Sequence, residues 1–252
     1  MSQSPTSDQA FSLPQGISAE ALSGMEVAAL VSAGVESAVM LGALSPVVKR
    51  MHPIYLKFGL RWEECEIKQL RQFLQAIESY CLAPLSVLSL PMTDVYQGHW
   101  STEGESVPLS GTPDEAVFLP GRNLLMLAKT AVWCSLNNVQ VVALGSLVSN
   151  PFPDATDDFF DGMQALMGQA LDGRTIVWRP FAKMHKEDVV KLGADLPLEL
   201  SQSCLQPATR VDGETTVQCG HCNKCEERRS AFVRAGVEDK TVYARQRVPL
   251  TP

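Results

Sequence analysis

Val27-Ala-Ala-Leu-Val-Ser32-Ala-Gly-Val-Glu-Ser37 is the stretch that decides the fold. Val27 to Ser32 is a short apolar run without alternation, the pattern of a strand buried on both faces. Ser32 to Ser37 is built of small residues and leads into a helical stretch, Ser37 to Ala43. A turn of small residues between strand and helix exposes successive backbone N–H groups, and the helix dipole adds positive potential there. Such a turn suits an anion, although more often than not it is only a turn.

Working outward, the same alternation recurs. Pro53 to Phe58, Leu85 to Leu90, Val139 to Leu147 and Thr175 to Trp178 read as further strands. Trp62 to Tyr80 reads as a helix, with Ile67, Leu70, Phe73, Leu74 and Ile77 at helical spacing; Leu124 to Leu136 and Asp158 to Leu171 read likewise, and Lys186 to Leu192 as a short helix. Thr93 to Glu115 is rich in Gly, Ser, Pro and Thr and predicts a loop or lid. The fold class is therefore α/β, a Rossmann-like parallel sheet with helices on both faces, and its ligand sites belong at the carboxyl ends of the strands. Right-handed crossovers bring Lys186 and Gly145-Ser146 to the edge that carries the Ser32–Ser37 turn. Residues 1–24, Ser- and Gln-rich with neither a basic start nor an apolar core, predict a loose tail and no secretory signal. Residues 25–200 form the nucleotide-binding domain and 201–252 a metal-binding segment.

The chain has 252 residues, 45% hydrophobic, enough for one large domain with a sizeable core. Its net charge of -7 argues against broad nucleic-acid or anionic-membrane binding, and Lys49-Arg50 and Arg228-Arg229 read as solvated basic pairs. Met25 to Val48 is apolar but interrupted by Glu26, Glu36 and Pro46, which fits a buried strand and packed helix better than a membrane span.

Cys204 and the run Cys219-Gly-His-Cys222-Asn-Lys-Cys225 supply four thiolates, three of them at two successive C-x-x-C steps. Four sulfurs close a tetrahedral shell around zinc with no open position for water, so a structural ion is expected. An iron–sulfur cluster, a disulfide, a redox C-x-x-C and a Cys3His site using His221 are the alternatives. Cys65, Cys81 and Cys134 read as buried thiols, and free thiols beside a thiolate site fit a reducing compartment, the cytoplasm.

Further motifs carry a resemblance. Ser32-Ala-Gly-Val-Glu-Ser37 resembles a degenerate SGGxDS, the pyrophosphate loop of the adenylating ATP pyrophosphatases. Pro120-Gly-Arg-Asn123 resembles the PGRN motif of one branch, the 7-cyano-7-deazaguanine synthases (the QueC or ExsB family). Phe152-Pro-Asp154 resembles its YPD, Lys186 to Gly193 its K-x-E-I-x-x-L-G, Glu199 to Cys204 its ELTWSC, and Cys219 to Cys225 its zinc knot. The matches are collinear from Met25 onward.

The resemblance implies a fold of the adenine nucleotide alpha hydrolase type and an ATP-dependent ligase of queuosine biosynthesis. Such enzymes activate 7-carboxy-7-deazaguanine with ATP; ammonia then gives the amide, and a second activation the nitrile. The expected cofactors are ATP with Mg2+ on its phosphates, beside a structural Zn2+. Ser32, Ala33, Gly34, Val35, Glu36, Ser37 and Gly145 are the expected nucleotide cradle. Lys186 is the candidate cation at the phosphates, equally readable as an exposed lysine in a first helical turn. Arg122 is suited to clamp a carboxylate or phosphate. Asn123, Phe152 and Asp154 are expected to face the deazapurine-like acid, although Asn123 also reads as a helix N-cap. The oligomeric state stays open, a homodimer included.

The chain departs from the family pattern at defined positions. Ala33 stands for the second loop glycine, Glu36 for the aspartate, and Leu60 and Trp62 for the glutamine and histidine of GQRH. Ala155 and Thr156 replace Cys and Arg, and Gln202 replaces Trp. Ala33 fits only where no positive φ is required and crowds phosphate against the backbone. The lost Trp and Arg predict weak recognition of the deazaguanine base. The alternatives are a paralogue acting on another carboxylate and a non-catalytic nucleotide-binding or scaffold protein.

Overall fold

Five strands form one wholly parallel sheet in the computed structural model of the chain, which describes residues 11–77, 79, 81–171, 175–209 and 216–244. They are β1 (Glu26–Leu30), β2 (Arg50–Lys57), β3 (Ser86–Ser89), β4 (Val141–Leu144) and β5 (Ile176–Trp178), in the order β3-β2-β1-β4-β5. Val27 pairs with Met51 on one side and with Val141 on the other, so β1 is central. The order reverses between β1 and β4, and such a switch point opens a crevice at the carboxyl ends of the strands.

The apolar run of β1 feeds two cores. Val27 and Ala29 join the core covered by α2 (Val35–Leu44), α3 (Glu63–Ala76) and α7 (Lys186–Leu192). Ala28 and Leu30 join the one covered by α5 (Arg122–Asn137) and α6 (Asp157–Ala170). This two-sided burial explains the absence of alternation in the sequence. The strands expected at Val139–Leu147 and Thr175–Trp178 are shorter, and the helix expected to reach Tyr80 closes at Ala76, with Tyr80 outside the described residues.

Two stretches differ from expectation. The loose tail is corrected from Phe11 onward. Trp178 Nε1 donates to Ser12 O at 2.6 Å, Ser12 N donates to Pro180 O at 2.9 Å, and Ser18 caps the short helix α1 (Ala19–Ser23), whose Leu22 is buried. Residues 1–10 lie outside the described residues. The second is an unexpected helix, α8 (Asn223–Ala235), which begins inside the cysteine run and ends at Gly236 in the left-handed conformation. Its Ala231 and Phe232 join the first core.

The expected lid is partly ordered by its own elements, α4 (Trp100–Glu103) and a 3-10 turn at Asp114–Val117. Ala208–Thr209 and Thr216–Val217 pair as a small antiparallel ladder, β6 and β7. Among the described residues no helix is long and apolar enough to cross a membrane.

Candidate nucleotide and metal sites

Every crossover of a parallel sheet returns its loop to the same edge, and a cleft of about 280 Å³ lies there. Ser32, Gly34 and Glu36 reach it from the end of β1, Trp62 and Glu66 from beyond β2, and Trp100 from beyond β3. Gly145, Phe152 and Asp154 follow β4, Lys186 follows β5, and Arg122 and Asn123 open α5. Among the described residues, Ala33, Val35 and Ser37 of the expected cradle do not line it; they are buried behind the turn.

The turn is fixed from within. Ser37 Oγ accepts from Ser32 N at 3.0 Å, and Gln202 N donates to Ala33 O at 2.8 Å. Gly34 is the N-cap of α2, so the first N–H groups of that ten-residue helix have no partner inside it. Ala33 sits at φ +61°, so the condition placed on alanine fails: a left-handed backbone is required and alanine adopts it. Gly145 permits the close approach of α2, since a Cβ there would lie 2.9 Å from Glu36 Cβ.

Lys186 is buried, which overturns the reading of an exposed lysine. Its Nζ lies 2.9 Å from Glu36 Oε1 and 3.0 Å from Glu227 Oε1, while Lys224 Nζ lies 2.7 Å from Glu227 Oε2. Burial alone would push the ammonium down, but Glu227 and Glu36 outweigh it and hold Lys186 above its ordinary value. Burial likewise opposes ionisation of Glu227, and the Lys186 and Lys224 charges overcome it, holding the carboxyl below its usual range.

Arg122 also lines the cleft, and its Nε is buried with no hydrogen-bond partner among the described residues. Asn123 is not the N-cap of α5; that position is Gly121. Instead Asn123 N donates to Asp154 Oδ2 at 2.9 Å and Asn123 Nδ2 to Asp154 O at 2.9 Å, which ties the start of α5 to the Phe152–Asp154 turn. Burial raises Asp154, with the Asn123 hydrogen bonds opposing it.

Several cleft residues escaped the sequence reading. Glu66 is buried, accepts from Tyr55 Oη, and is pushed up to about 8 by burial, with Arg122 opposing. Trp62 stacks on Trp100 with ring centroids 5.6 Å apart and planes 17° from parallel. Phe118 and Phe152 form a second pair at 5.2 Å. The aromatic surface lost at Gln202 is thus present elsewhere, while buried Gln202 leaves its Oε1 without a hydrogen-bond partner among the described residues. Lys224 and Glu227 could have been found by reading the cysteine run as a helix start, which places positions three apart on one face.

The four cysteine sulfurs Cys204, Cys219, Cys222 and Cys225 lie within 4.8 Å of one another, all buried. Tetrahedral zinc with bonds of about 2.3 Å requires sulfurs about 3.8 Å apart. Cys219 and Cys225 are 3.9 Å apart and Cys222 and Cys204 4.0 Å, so the residues fit one metal ion. Backbone N–H groups of Cys219, Gln206 and Leu205 point at the sulfurs from 3.1 to 3.5 Å, as suits thiolates. Gly220 makes the knuckle at φ +79°, and His221 Nδ1 lies 3.1 Å from Cys219 O, outside the sulfur group. No described cysteine is disulfide-bonded.

A parallel α/β sheet with an open helix N-terminus at its switch point, beside a four-thiolate knot, defines a nucleotide-binding class of protein with a metal-capable C-terminus. The family model "Queuosine biosynthesis protein QueC" matches residues 26–236, and the chain belongs to that family. It is 28% identical over 229 residues to the 7-cyano-7-deazaguanine synthase of Methanothrix thermoacetophila, covering 85% of this chain and 96% of that one. With the enzyme of the same name from Methanopyrus kandleri the identity is 35% over 145 residues, covering 53% of this chain and 62% of that one. Among solved structures, a 4-thiouridine synthetase bound to RNA and ATP is similar at a TM-score of 0.48 and 12% identity, over 84% of this chain and 50% of that one. The U34-tRNA thiolase NcsA of Methanococcus maripaludis with its [4Fe-4S] cluster is similar at a TM-score of 0.46 and 14% identity, over 77% of this chain and 64% of that one.

Proposed function

We propose that this chain is an ATP-dependent ligase that activates a flat heteroaromatic carboxylic acid and passes it to ammonia. The carrying observation is the placement of Arg122 and Lys186 in one cleft at the mouth of the Ser32–Ser37 turn. The turn N–H groups and Lys186 would hold the phosphates, with Mg2+ on them, and the Arg122 guanidinium would face the carboxylate. The acid's carboxylate oxygen attacks the α-phosphorus and pyrophosphate leaves. Ammonia then attacks the acyl carbon, AMP departs with the acyl oxygen, and the amide forms with release of a proton. Activation of the amide oxygen by a second ATP, followed by loss of AMP and the remaining N–H protons, gives the nitrile. Zinc in the four-sulfur shell would hold structure, since a closed shell keeps no position for water; the close sulfur spacing supports a single ion over a cluster, which spreads its ligands around several irons.

The acid is proposed to differ from 7-carboxy-7-deazaguanine. The departures have been absorbed into the fold: Ala155 is buried, Thr156 caps α6, and Trp62 stacks on Trp100. A stacked aromatic contributes about 0.5–1.5 kcal/mol beyond its area, and a hydrogen bond to a charged group about 1.5–3 kcal/mol. Losing both lowers affinity by roughly one to three powers of ten, less what the new aromatic pair returns. Mass spectrometry of amide and nitrile formed from ATP, ammonia and a panel of heteroaromatic acids tests this. Turnover of 7-carboxy-7-deazaguanine at about 1 per second or more contradicts the substrate assignment. Absence of product from every acid contradicts the ligase.

A further inference from the structure

Six consecutive residues at the start of α8 serve three purposes at a spacing of three. Cys222 and Cys225 give sulfurs to the metal knot. Asn223 and Glu226 fasten the lid: Asn223 N donates to Pro108 O at 3.0 Å, Asn223 Nδ2 donates to Thr112 O at 2.8 Å, and the Glu226 carboxylate accepts from Gly111 N at 2.5 Å. Lys224 and Glu227 line the cleft. Residues three apart stand above one another on a helix, so one turn presents three separate faces. The metal ligands, the lid and the charges of the cleft are therefore carried by one rigid piece of backbone.

The cleft face ends at Lys186. An ammonium has three N–H donors. Glu36 at 2.9 Å and Glu227 at 3.0 Å engage two of them, which leaves one for an anion in the cleft. A lysine head on its four-carbon stem has no fixed direction of its own. With Glu36 alone, it would be held only by the acid of the turn that it has to serve. Glu227 approaches from a different element and turns one tether into two.

We propose that Glu227 is a positioning residue of the nucleotide site: it fixes the Lys186 ammonium opposite Glu36, and its own place is set by the metal-bound first turn of α8. This rests on the reading of the cleft as an ATP site. Charge and position make opposite predictions here. Glu36, Glu227, Lys186 and Lys224 balance as two anions and two cations, so neutralising Glu227 leaves the phosphate site more positive and should favour ATP. Losing the second tether should slow the reaction.

The test uses the full metal-loaded chain with Glu227→Gln and Glu227→Asp. For acid-dependent pyrophosphate release, Glu227→Gln is expected to lower kcat about tenfold or more without raising KM for ATP, and Glu227→Asp to recover part of the loss. Rates are taken per native chain, the native fraction being read from urea unfolding; a raised KM for ATP overturns the proposal, as does a kcat per native chain that is unchanged. In parallel, labelling of Lys186 by an amine-reactive ester, read by peptide mass spectrometry, is expected to quicken severalfold in Glu227→Gln. Should the wild type release no pyrophosphate with any acid, the ligase reading fails by itself and the labelling rate decides the positioning role. If Glu227→Gln does not fold, Glu227→Asp is read instead: shortening the acid by one methylene loosens the tether on Lys186 and should quicken its labelling, and an unchanged rate overturns the proposal.

Discussion

Lys186→Met is the perturbation whose cost follows most directly from the geometry. The Lys186 side chain is 8% exposed, and its partners Glu36 and Glu227 are 18% and 22% exposed. Methionine keeps much of the stem volume but removes the charge that separates two carboxylates. Both touch one nitrogen, so without it they face each other at about 5 Å, where an effective dielectric near 20 gives a repulsion of about 3 kcal/mol. Lys224 still offsets part of the Glu227 charge, which brings the expected destabilisation to about 2–3 kcal/mol, at the lower edge of the cost of breaking a buried pair. Urea unfolding of the metal-loaded protein at neutral pH measures it as a lowered midpoint at unchanged slope. Adding Glu227→Gln should return about half of the loss, because the repulsion needs both acids. A loss below about 1 kcal/mol, or a double variant no more stable than the single, would refute this account of the charge cluster.

Three further outcomes are expected. Cys222→Ser should bring metal content below one ion per chain by elemental analysis and should speed proteolysis near residues 108–112, because Asn223 and Glu226 no longer hold the lid. Ala33→Gly relieves a left-handed alanine, a gain of about 1–2 kcal/mol that added chain entropy and a lost buried methyl largely offset, so stability should stay within about 1 kcal/mol, and calorimetry should show ATP-Mg affinity little changed because the methyl lies behind the turn; a severalfold change would count against that placement. Glu66 is held protonated up to about 8 in the fold but ionises from about 4.5 when unfolded. The unfolded chain thus carries fewer protons across that window, so this group's share of stability falls as pH rises through it, by up to about 1.4 kcal/mol per unit, and Glu66→Gln should flatten the slope in urea titrations at pH 5 and 8.

The strands were legible because a two-sided sheet demands unbroken apolar runs, and Val27 to Leu30 shows that demand plainly. The four-cysteine group was legible because C-x-x-C spacing is itself a geometric statement. Lys186 was named from its motif, but its burial was not visible, since that depends on Glu227, forty-one residues away and on a helix concealed by the cysteine pattern. Trp100 was hidden inside the Thr93–Glu115 stretch whose composition reads as loop, and Phe118 just beyond it, because stacking partners are chosen by the fold and not by the local sequence. The order of Phe11 to Gly24 was hidden for a similar reason: Leu22 packs into the first core and the Ser12 carbonyl accepts from Trp178, partners distant in sequence.

The central claim is that the cleft at the carboxyl edge of the sheet transfers AMP to a carboxylate. Exchange of labelled pyrophosphate into ATP measures that step alone, without requiring ammonia or product release. Exchange is expected only when a heteroaromatic carboxylic acid is added, weak with 7-carboxy-7-deazaguanine and lost in Arg122→Ala. No exchange with any acid, although calorimetry shows ATP-Mg bound, would contradict the claim and leave a protein that binds the nucleotide without using it.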